Sequence, residues 1–426
     1  MQPFEGVDVL DLTQSIAGPF SAQWLGALGA TVIKVEPPGG DAFRDLLDGA
    51  MFASVNLGGK ESVCLDFTTE EGLTAARDLA ERADVIVESF RPGVLDRFGL
   101  DYGSVSATNE DVIYCSVSGF GADGPRADWP AYDPVVQAMS GLMSTIGYRD
   151  RPPVRVGASV IDYCTGTTAA LAMTAALLER RRTGEGERID CSLFEVAVSW
   201  MGYWIAHYTG TGEIPERSGQ GFAGLAPNEV FHAGGKRREK SGSGGNEGER
   251  EEEGKRDNGG DGSDEDEGEP FYMAVVNDRL YAKLCEALDR EDLATDDRFA
   301  DNASRWENRE ALREELGAEF ATYDREGLTT LLAEAGVPAG PLRTVDELVE
   351  DDPQVGAREL LTDSHNVETD SPVRTARLPF RTSDGRPTLG ERPPTRGEHT
   401  RRVLRELGYD DDRIDRMLAA GAAGEG

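Results

Sequence analysis

The sequence predicts an α/β protein in which a Rossmann-like large domain with an open, mostly parallel sheet is joined to a smaller α+β domain. Two observations favour this fold. Short β-branched segments alternate with helical segments over the first 200 residues, which is typical of parallel strands with helices on both faces. The length of 426 residues is also enough for two or three domains.

The first half of the chain supplies the elements of the sheet in regular order. Residues 7–12 and 30–36 have strand patterns on either side of a helical pattern over 20–28, which makes a βαβ unit. Four more strands are predicted at residues 62–66, 84–88, 112–118 and 188–192. Helices are predicted at residues 70–82, 134–144 and 193–207, together with a long apolar helix that begins near Asp162.

The turn of the first βαβ unit, QSIAGP at residues 14–19, lacks the G-x-G-x-x-G spacing that a dinucleotide pyrophosphate needs. Glu36 ends the second predicted strand, where dinucleotide-binding domains carry an acid for the ribose. Because the glycines are missing, the sequence does not predict a nicotinamide site.

The second half of the chain is less regular. Residues 234–269 are almost wholly Gly, Ser, Asn and charged residues, so we expect a disordered acidic insertion there. A strand is predicted at 271–276 and a rigid turn between domains at 337–341. Helices are predicted at residues 279–288, 309–323, 325–335, 398–407 and 413–419.

These patterns divide the chain into four parts. We expect a large domain over residues 1–200, then a linker over 201–224 that contains a candidate glycine-rich lid. The smaller domain is expected over 225–335. Residues 336–426 are expected to form a second linker and to return to the large domain.

The composition restricts the class of partner. Acidic residues outnumber basic ones 79 to 44, giving a net charge of −35, so neither nucleic acid nor an anionic membrane is an expected partner. With six lysines against 38 arginines, this acid excess indicates adaptation to molar salt. Five widely spaced cysteines, no secretory start and no apolar stretch of membrane-spanning length predict a soluble, cytoplasmic protein.

Asp162 stands where a β-branched run gives way to the long apolar helix. No charge occurs over residues 167–178, so this helix is expected to be buried on all sides. Unpaired N–H groups at its start should hold the Asp162 carboxylate ionised. Such a carboxylate could be a helix N-cap, a general base or a nucleophile, and the residues alone favour the N-cap.

Other common catalytic motifs are missing from the sequence. The four histidines have no i, i+4 pair and the cysteines no ligand spacing, so no metal site is predicted. Neither the G-x-S-x-G elbow nor the phosphate-binding loop occurs. Serine-hydrolase and P-loop chemistry are therefore not expected.

Several longer segments resemble, in order, those of the class III CoA-transferases, the family of formyl-CoA, carnitine and bile-acid CoA-transferases and of 2-methylacyl-CoA racemases. They cover nearly the whole chain outside the insertion. The segments are VLDLTQSIAGPFSAQWLGALGATVIKVEPPGGD, ADVIVESFRPGVLDRFGLDY, YDPVVQAMSGLMSTIG, GASVIDYCTG, RTGEGERIDCSLFE, GVPAGPL and RGEHT.

The resemblance implies that residues 1–200 bind coenzyme A and that Asp162, in GASVIDYCTG, is the nucleophile. Coenzyme A would enter as an acyl-CoA substrate, with no permanently bound cofactor, and a carboxylic acid would be the second substrate. Asp162 would form first a mixed anhydride and then an aspartyl-CoA thioester, with residues 218–224 as the lid against water. An interlocked homodimer is also implied.

The resemblance further implies a set of coenzyme A contacts. Arg97 among them could instead form a surface ion pair. Ile16 and Pro37 differ from the residues of the formyl-CoA enzymes, so substrate specificity cannot be transferred from those enzymes. The implied contacts are Ala17, Leu65, Asp66, Phe67, Thr68, Ser89, Phe90, Arg91, Arg97, Tyr132 and Asp133.

Two alternatives remain open beside a CoA-transferase. A 2-methylacyl-CoA racemase places a histidine where this chain has Tyr132, so the sequence favours transfer over racemisation. A non-catalytic CoA-binding protein is the other alternative. Short dicarboxylates such as succinate and mesaconate are candidate acids for the transfer.

Overall fold

The computed structural model describes residues 1–234 and 268–426, so the predicted insertion lies almost wholly outside the described residues. The chain forms two compact units. Unit 1 comprises residues 1–144, 154–215 and 352–426, and unit 2 comprises residues 145–153 and 216–351. Residues 201–215, expected to begin a linker, belong to unit 1 and contain a helix.

The described residues contain the following strands and helices, numbered in chain order. The strands are β1 (Asp8–Leu12), β2 (Thr31–Glu36), β3 (Glu61–Leu65), β4 (Val85–Glu88), β5 (Ile113–Ser118), β6 (Glu187–Ser192), β7 (Asn228–Ala233), β8 (Glu269–Ala274), β9 (Ala339–Pro341), β10 (Leu361–Asn366), β11 (Ser371–Ala376) and β12 (Ala423–Gly424). The helices are α1 (Ala17–Ala27), α2 (Ala50–Val55), α3 (Glu70–Arg82), α4 (Tyr102–Ser106), α5 (Asp133–Met139), α6 (Val160–Thr183), α7 (Leu193–Trp200), α8 (Gly202–Thr211), α9 (Asp278–Ala287), α10 (Glu291–Ala294), α11 (Asn302–Glu307), α12 (Arg309–Phe320), α13 (Arg325–Glu334), α14 (Pro353–Ala357), α15 (Thr400–Glu406) and α16 (Asp411–Ala419).

Unit 1 is built on a seven-stranded sheet of order β12-β3-β2-β1-β4-β5-β6. Strands β1 to β6 are parallel, and β12 pairs antiparallel with β3 at one edge. The bounds of all six predicted strands agree with the structure to within one residue at each end. The predicted α/β class with a mostly parallel, Rossmann-like sheet is confirmed.

Two apolar layers cover the two faces of this sheet. Successive residues of a strand point to opposite faces, so Val9 packs with α1, α6 and α7, whereas Leu10 packs with α3, α15 and α16. The strand order reverses direction between β1 and β4. Open α/β sheets bind ligands beyond the carboxyl ends of the strands at such a reversal, so the fold itself indicates where a site should lie.

Helix α6 corrects the expectation of burial on all sides. Ile161, Met173 and Leu177 are buried in the core of unit 1, but Leu171 and Leu178 each keep 69% of their surface exposed. Because the whole segment lacks charge, the sequence does not show which face of α6 packs on the sheet. It also does not show that the opposite face is left uncovered by the described residues. The expectation therefore failed for one side of the helix.

The length and composition of α6 also correct a second expectation. At 24 residues, α6 is long and apolar enough to cross a membrane, although no stretch of that kind was expected. Half of its most apolar window is buried within the fold, where it packs closely on α1. One helix of this kind is weak evidence of a membrane span, because helices packed in the core of a fold can have the same length and composition.

Three smaller differences have local causes. The helix predicted over 193–207 is divided into α7 and α8 at Met201. The β-branched residues at 154–159 form no strand, and Val160 already belongs to α6. The expected turn at 337–341 contains β9, which pairs with β8.

Unit 2 has an antiparallel sheet of order β7-β8-β9. Its core is centred on three phenylalanines, with the Phe271 and Phe231 rings each 5.2 Å from the Phe320 ring. Helices α9, α12 and α13 contribute Leu284, Leu316 and Leu328 to this core. Strand β8 confirms the strand predicted near 271–276, whereas β7 and β9 were not anticipated.

Truncating Phe271 should destabilise unit 2 selectively. Phe271 is fully buried, and replacing a buried phenylalanine by alanine costs about 3–5 kcal/mol through lost burial and the cavity left behind. Urea unfolding of Phe271→Ala, followed by circular dichroism, measures this loss. Leu342→Ala, at a half-exposed residue of the same unit, is the control and should lose much less; equal losses would contradict the assignment of the core.

Candidate functional site

A cavity of about 270 Å³ lies in unit 1 at the carboxyl ends of the parallel strands. Gln14 and Ser15 follow β1, Ser89 follows β4, and Ser118 ends β5, so the cavity occupies the place where the strand order reverses. Asp162 contributes the wall that comes from α6. The location agrees with the rule for ligand sites in open α/β sheets.

Asp162 is the third residue of α6 and only 7% of its surface is exposed. Burial, with a smaller contribution from the nearby carboxylate of Asp133, raises the pKa of Asp162 to about 7. The expectation that helix N–H groups would hold it ionised is therefore wrong. The loss of hydration and the repulsion from a second acid outweigh the helix dipole.

The N–H groups at the start of α6 are bound by Asp133 instead. The Oδ2 atom of Asp133 accepts hydrogen bonds from the backbone N–H of Ile161 at 2.7 Å and of Asp162 at 3.2 Å. The formal N-cap, Ser159, makes no capping bond with its side chain. A plain N-cap role for Asp162 is thus excluded, because a carboxylate from α5 performs that function.

A buried amide fixes the orientation of Asp133. The Nε2 group of Gln137 donates to Asp133 Oδ1 at 2.5 Å, and Gln137 Oε1 accepts from the Val156 N–H at 2.9 Å. Both side chains are almost completely buried. This chain of hydrogen bonds connects α5, the segment before α6 and the first turn of α6 in one arrangement.

The loop between β1 and α1 forms another wall of the cavity. The Gln14 N–H donates to Ser89 Oγ at 3.0 Å, which joins the loops that follow β1 and β4. Gly18 has no space for a side chain, since a Cβ atom there would lie 2.4 Å from Thr13. Gly166 of α6 is equally restricted by the Ala17 carbonyl, so α1 and α6 approach closely beside the cavity.

The structure brings together some of the predicted residues and separates others. Ala17, Ser89, Phe90, Arg91 and Tyr132 line the same cavity as Asp162. Asp133 lies behind this wall, with only 1% of its surface exposed. The contact of Asp133 with coenzyme A stays a prediction.

The remaining predicted contacts lie outside the lining of this cavity, four of them at or just after the end of β3 and the fifth, Arg97, in a short turn after β4. Leu65 is packed in the core, and Asp66 accepts hydrogen bonds from Thr68. The Phe67 ring lies 5.8 Å from the Phe98 ring, which places the turn after β3 beside the short 3-10 turn that contains Arg97. These residues form a second group, and their contacts with coenzyme A stay predictions.

Several lining residues were not anticipated from the sequence. Gln14 and Ser118 could have been found, because each lies at or just after the carboxyl end of a predicted strand. Phe43, Trp129 and Leu193 also line the cavity, but their sequence neighbourhoods carry no recognisable signal.

The predicted lid, residues 218–224, lies in unit 2 and is held by several hydrogen bonds. The Gly219 N–H donates to the Gly147 carbonyl at 3.1 Å, and the Phe222 N–H donates to the Asn228 carbonyl at 3.0 Å. A side chain on Gly219 would collide with the ring of Tyr148. The segment lines a separate cavity of about 350 Å³ within unit 2, and a lid function stays a prediction.

Comparison with known proteins decides the family. The model of CoA-transferase family III matches residues 4–237 and 249–400. The chain belongs to this family. The family resemblance inferred from the ordered sequence segments is thus confirmed.

Curated family III relatives are similar over most of the chain. An acetyl-CoA:oxalate CoA-transferase of Acetobacter aceti is 36% identical, covering 86% of this chain and 87% of its own. A succinyl-CoA:mesaconate CoA-transferase of Haloarcula hispanica is 35% identical over 96% and 97% of the two chains. A CaiB/BaiF family protein of Brucella suis has a solved structure with a TM-score of 0.78 and 35% identity, covering 95% of this chain and 99% of its own. The chain is therefore an enzyme of the CoA-transferase type.

The raised pKa of Asp162 should appear in the pH dependence of stability. Because the folded-state pKa is above that of the unfolded chain, Asp162 favours folding at low pH and loses this contribution as the pH rises through about 7. The free energy of unfolding of Asp162→Asn should therefore increase relative to that of the wild type as the pH rises from 4 to 8. The increase should reach up to about 4 kcal/mol, since each unit of pKa difference between the folded and unfolded chain corresponds to about 1.36 kcal/mol. Urea unfolding at constant salt measures the difference. A gap between the two proteins that does not change with pH would contradict the assigned pKa.

Proposed function

We propose that the protein transfers coenzyme A reversibly between an acyl-CoA and a carboxylic acid, with Asp162 as the nucleophile. The observation that carries this proposal is the position of the Asp162 carboxylate, on the wall of a cavity at the reversal of strand order. A nucleophile must be accessible to substrate and yet sheltered from bulk water. Asp162 meets both conditions, because it lines the cavity and only 7% of its surface is exposed.

The proposed cycle needs no external oxidant, reductant or proton source. A carboxylate oxygen of Asp162 attacks the thioester carbonyl carbon, and the C–S bond breaks to give a mixed anhydride and a CoA thiolate. The thiolate attacks the Asp162 carbonyl carbon, which releases the donor acid and forms an aspartyl-CoA thioester. The acceptor carboxylate then reverses these steps and regenerates the Asp162 carboxylate.

Helix α1 can stabilise the negative charge that develops on oxygen in each of these steps. Asp133 already binds the first N–H groups of α6, which makes those groups poor oxyanion donors. The first turn of α1 lines the same cavity, and its N-cap residue, Ile16, has no side-chain acceptor. The N–H groups of Ala17 and Gly18 are therefore the proposed donors.

The contacts of substrate and coenzyme follow from the lining of the cavity. Arg91 supplies a guanidinium group, which suits the carboxylate of a short dicarboxylic acid or a phosphate of coenzyme A. Succinyl-CoA and mesaconate are the proposed pair, as in the name of the Haloarcula hispanica relative. Ala17, Ser89, Phe90 and Tyr132 are proposed to contact the acyl-pantetheine end, and Leu65, Asp66, Phe67, Thr68 and Arg97 a more distant part of coenzyme A.

The wider setting of the enzyme is part of the same proposal. We propose a soluble, cytoplasmic, halophilic homodimer that acts on acyl-CoA without a permanently bound cofactor. The net charge of −35 supports adaptation to salt and argues against nucleic-acid and membrane partners. In support of transfer over racemisation, no histidine lines the Asp162 cavity within residues 1–234 and 268–426, and Tyr132 stands where the racemases carry one.

Trapping the intermediates tests the nucleophile. Hydroxylamine added during turnover with succinyl-CoA should convert Asp162 to its hydroxamate, and peptide mass spectrometry detects the change of mass. Asp162→Asn, checked for deamidation, should lose at least a thousandfold in transfer rate, since the covalent route is removed. Asp111→Asn, at an exposed carboxylate of the same unit, should keep wild-type activity.

Four results would contradict the proposal. An unmodified Asp162 peptide during rapid turnover, or wild-type activity in Asp162→Asn, would remove the nucleophile. Exchange of α-hydrogen for deuterium without an acceptor acid would indicate racemisation. Binding of coenzyme A without transfer would indicate a non-catalytic protein.

The charge of Asp133 should contribute to the position of the acidic limb of the pH–rate profile. Asp162 attacks in its ionised form, so kcat/KM should rise with pH up to a pKa of about 7. Asp133→Asn removes the neighbouring negative charge and should move this limb to lower pH by one unit or less, because burial is the larger cause. Initial rates between pH 5 and pH 9 measure the shift. An unchanged limb in a folded variant would exclude an electrostatic effect of Asp133.

A further inference from the structure

We propose that Lys34 and Lys60 are positioning residues whose ammonium groups hold the two ends of residues 13–19, the segment that forms the α1 wall of the Asp162 cavity. This proposal rests on the proposed function for its catalytic consequence. Its structural part concerns only the contacts of the two lysines and can be tested separately.

Lys60 holds the end of the segment that lies within α1. Its side chain is fully buried, and Nζ donates to the Pro19 carbonyl at 2.8 Å. The same Nζ donates to Asp11 Oδ2 at 2.8 Å and to Asn56 Oδ1 at 3.0 Å. Three acceptors thus use the three N–H bonds of the ammonium group.

Lys34 holds the other end of the segment, next to β1. It is completely buried, and its Nζ donates to the Thr13 carbonyl at 2.7 Å and lies 3.1 Å from Asp41 Oδ2. Asp11 completes this end, because its Oδ1 accepts from the Thr13 N–H at 3.0 Å. Asp11 therefore pairs with Lys60 and binds the backbone that the two lysines hold, while Asp41 pairs with Lys34.

The segment between the two lysines has a backbone that needs such support. Ser15 has a φ of +70°, a left-handed conformation that costs a residue with a Cβ atom about 1–2 kcal/mol. Gly18 is packed directly against Thr13. Conformations of this kind persist only where surrounding contacts determine them. Here those contacts place Gln14, Ser15, Ala17 and Gly18 along the cavity.

The choice of lysine at these positions supports a role for the compact ammonium group. The chain contains six lysines and 38 arginines, yet two of the six lysines are buried beside this segment. A guanidinium group is planar and directs its donors within one plane, whereas an ammonium group can bind three acceptors arranged around a point. Lys60 has three such acceptors in Pro19, Asp11 and Asn56.

The charged groups around Lys60 also give the arrangement a pH limit. Burial lowers the pKa of Lys60 to about 8, with a further decrease from Lys34, while Asp11 and Asp41 oppose the change. Above this pH the neutral amine has one donor fewer for its three acceptors. The hold on Pro19 should then weaken, and the rate of transfer should fall on the alkaline side.

The experiment compares Lys60→Arg and Lys60→Met with Lys283→Met, which removes a lysine that donates to a backbone carbonyl in unit 2. We expect kcat to fall at least tenfold in both Lys60 variants, with a smaller change in KM. The decrease of the transfer rate above about pH 8, expected for the wild type, should be absent from both variants. Amide hydrogen exchange over residues 13–19 should accelerate in both variants. Lys283→Met should match the wild type in all three measurements.

The outcomes separate this proposal from the proposed function. Wild-type kcat, pH profile and exchange in a folded Lys60→Arg protein would overturn the positioning role. If Lys60→Met does not fold, Lys60→Arg and Lys34→Arg supply the same comparison. If the wild type shows neither transfer nor trapping at Asp162, the proposed function fails. The positioning proposal is tested separately by hydrogen exchange, and unchanged exchange over residues 13–19 in the Lys60 variants would overturn it.

Discussion

The contact between the Asp133 carboxylate and the first N–H groups of α6 determines the character of the candidate site. It places a buried negative charge at the positive end of a 24-residue helix, where an anionic ligand would otherwise bind. Asp162, in the first turn of the same helix, meets repulsion from this charge in addition to the larger effect of its own burial. The site thus has an acid that is half ionised near neutral pH, because Asp162 is buried and, to a smaller extent, because the Asp133 carboxylate of α5 lies beside it.

The parallel sheet could be predicted from sequence because its signal is local. Each strand from β1 to β5 contains a short run of apolar residues next to a helical or turn segment, and a central parallel strand is buried on both faces. The same reasoning missed β7, β9 and the β10–β11 hairpin. The β11 sequence, Ser371–Ala376, includes a proline and an arginine, and β9 has only three residues, so pairing with neighbours rather than composition makes them strands.

The candidate site could be predicted only in part. Asp162 was recognisable from its place before an uncharged helix, and Ser89, Phe90 and Arg91 from a strand end together with the family resemblance. The pKa of Asp162 was predicted in the wrong direction, because the sequence shows neither the burial of this residue, which is the larger cause, nor the carboxylate of Asp133 beside it. Gln137 is buried and orients Asp133 through a hydrogen bond. In the sequence it is one polar residue among others on a predicted helix, and no pattern there indicates this function.

The protonation of Asp162 also gives chemical selectivity. A fully hydrated carboxyl group has a pKa of about 4 and is ionised at neutral pH, whereas an acid with a pKa of about 7 is still partly in its neutral form. Diazo compounds esterify neutral carboxylic acids in preference to carboxylates. An affinity label that joins such a warhead to a pantetheine-like arm would therefore distinguish this one side chain from the acidic surface around it.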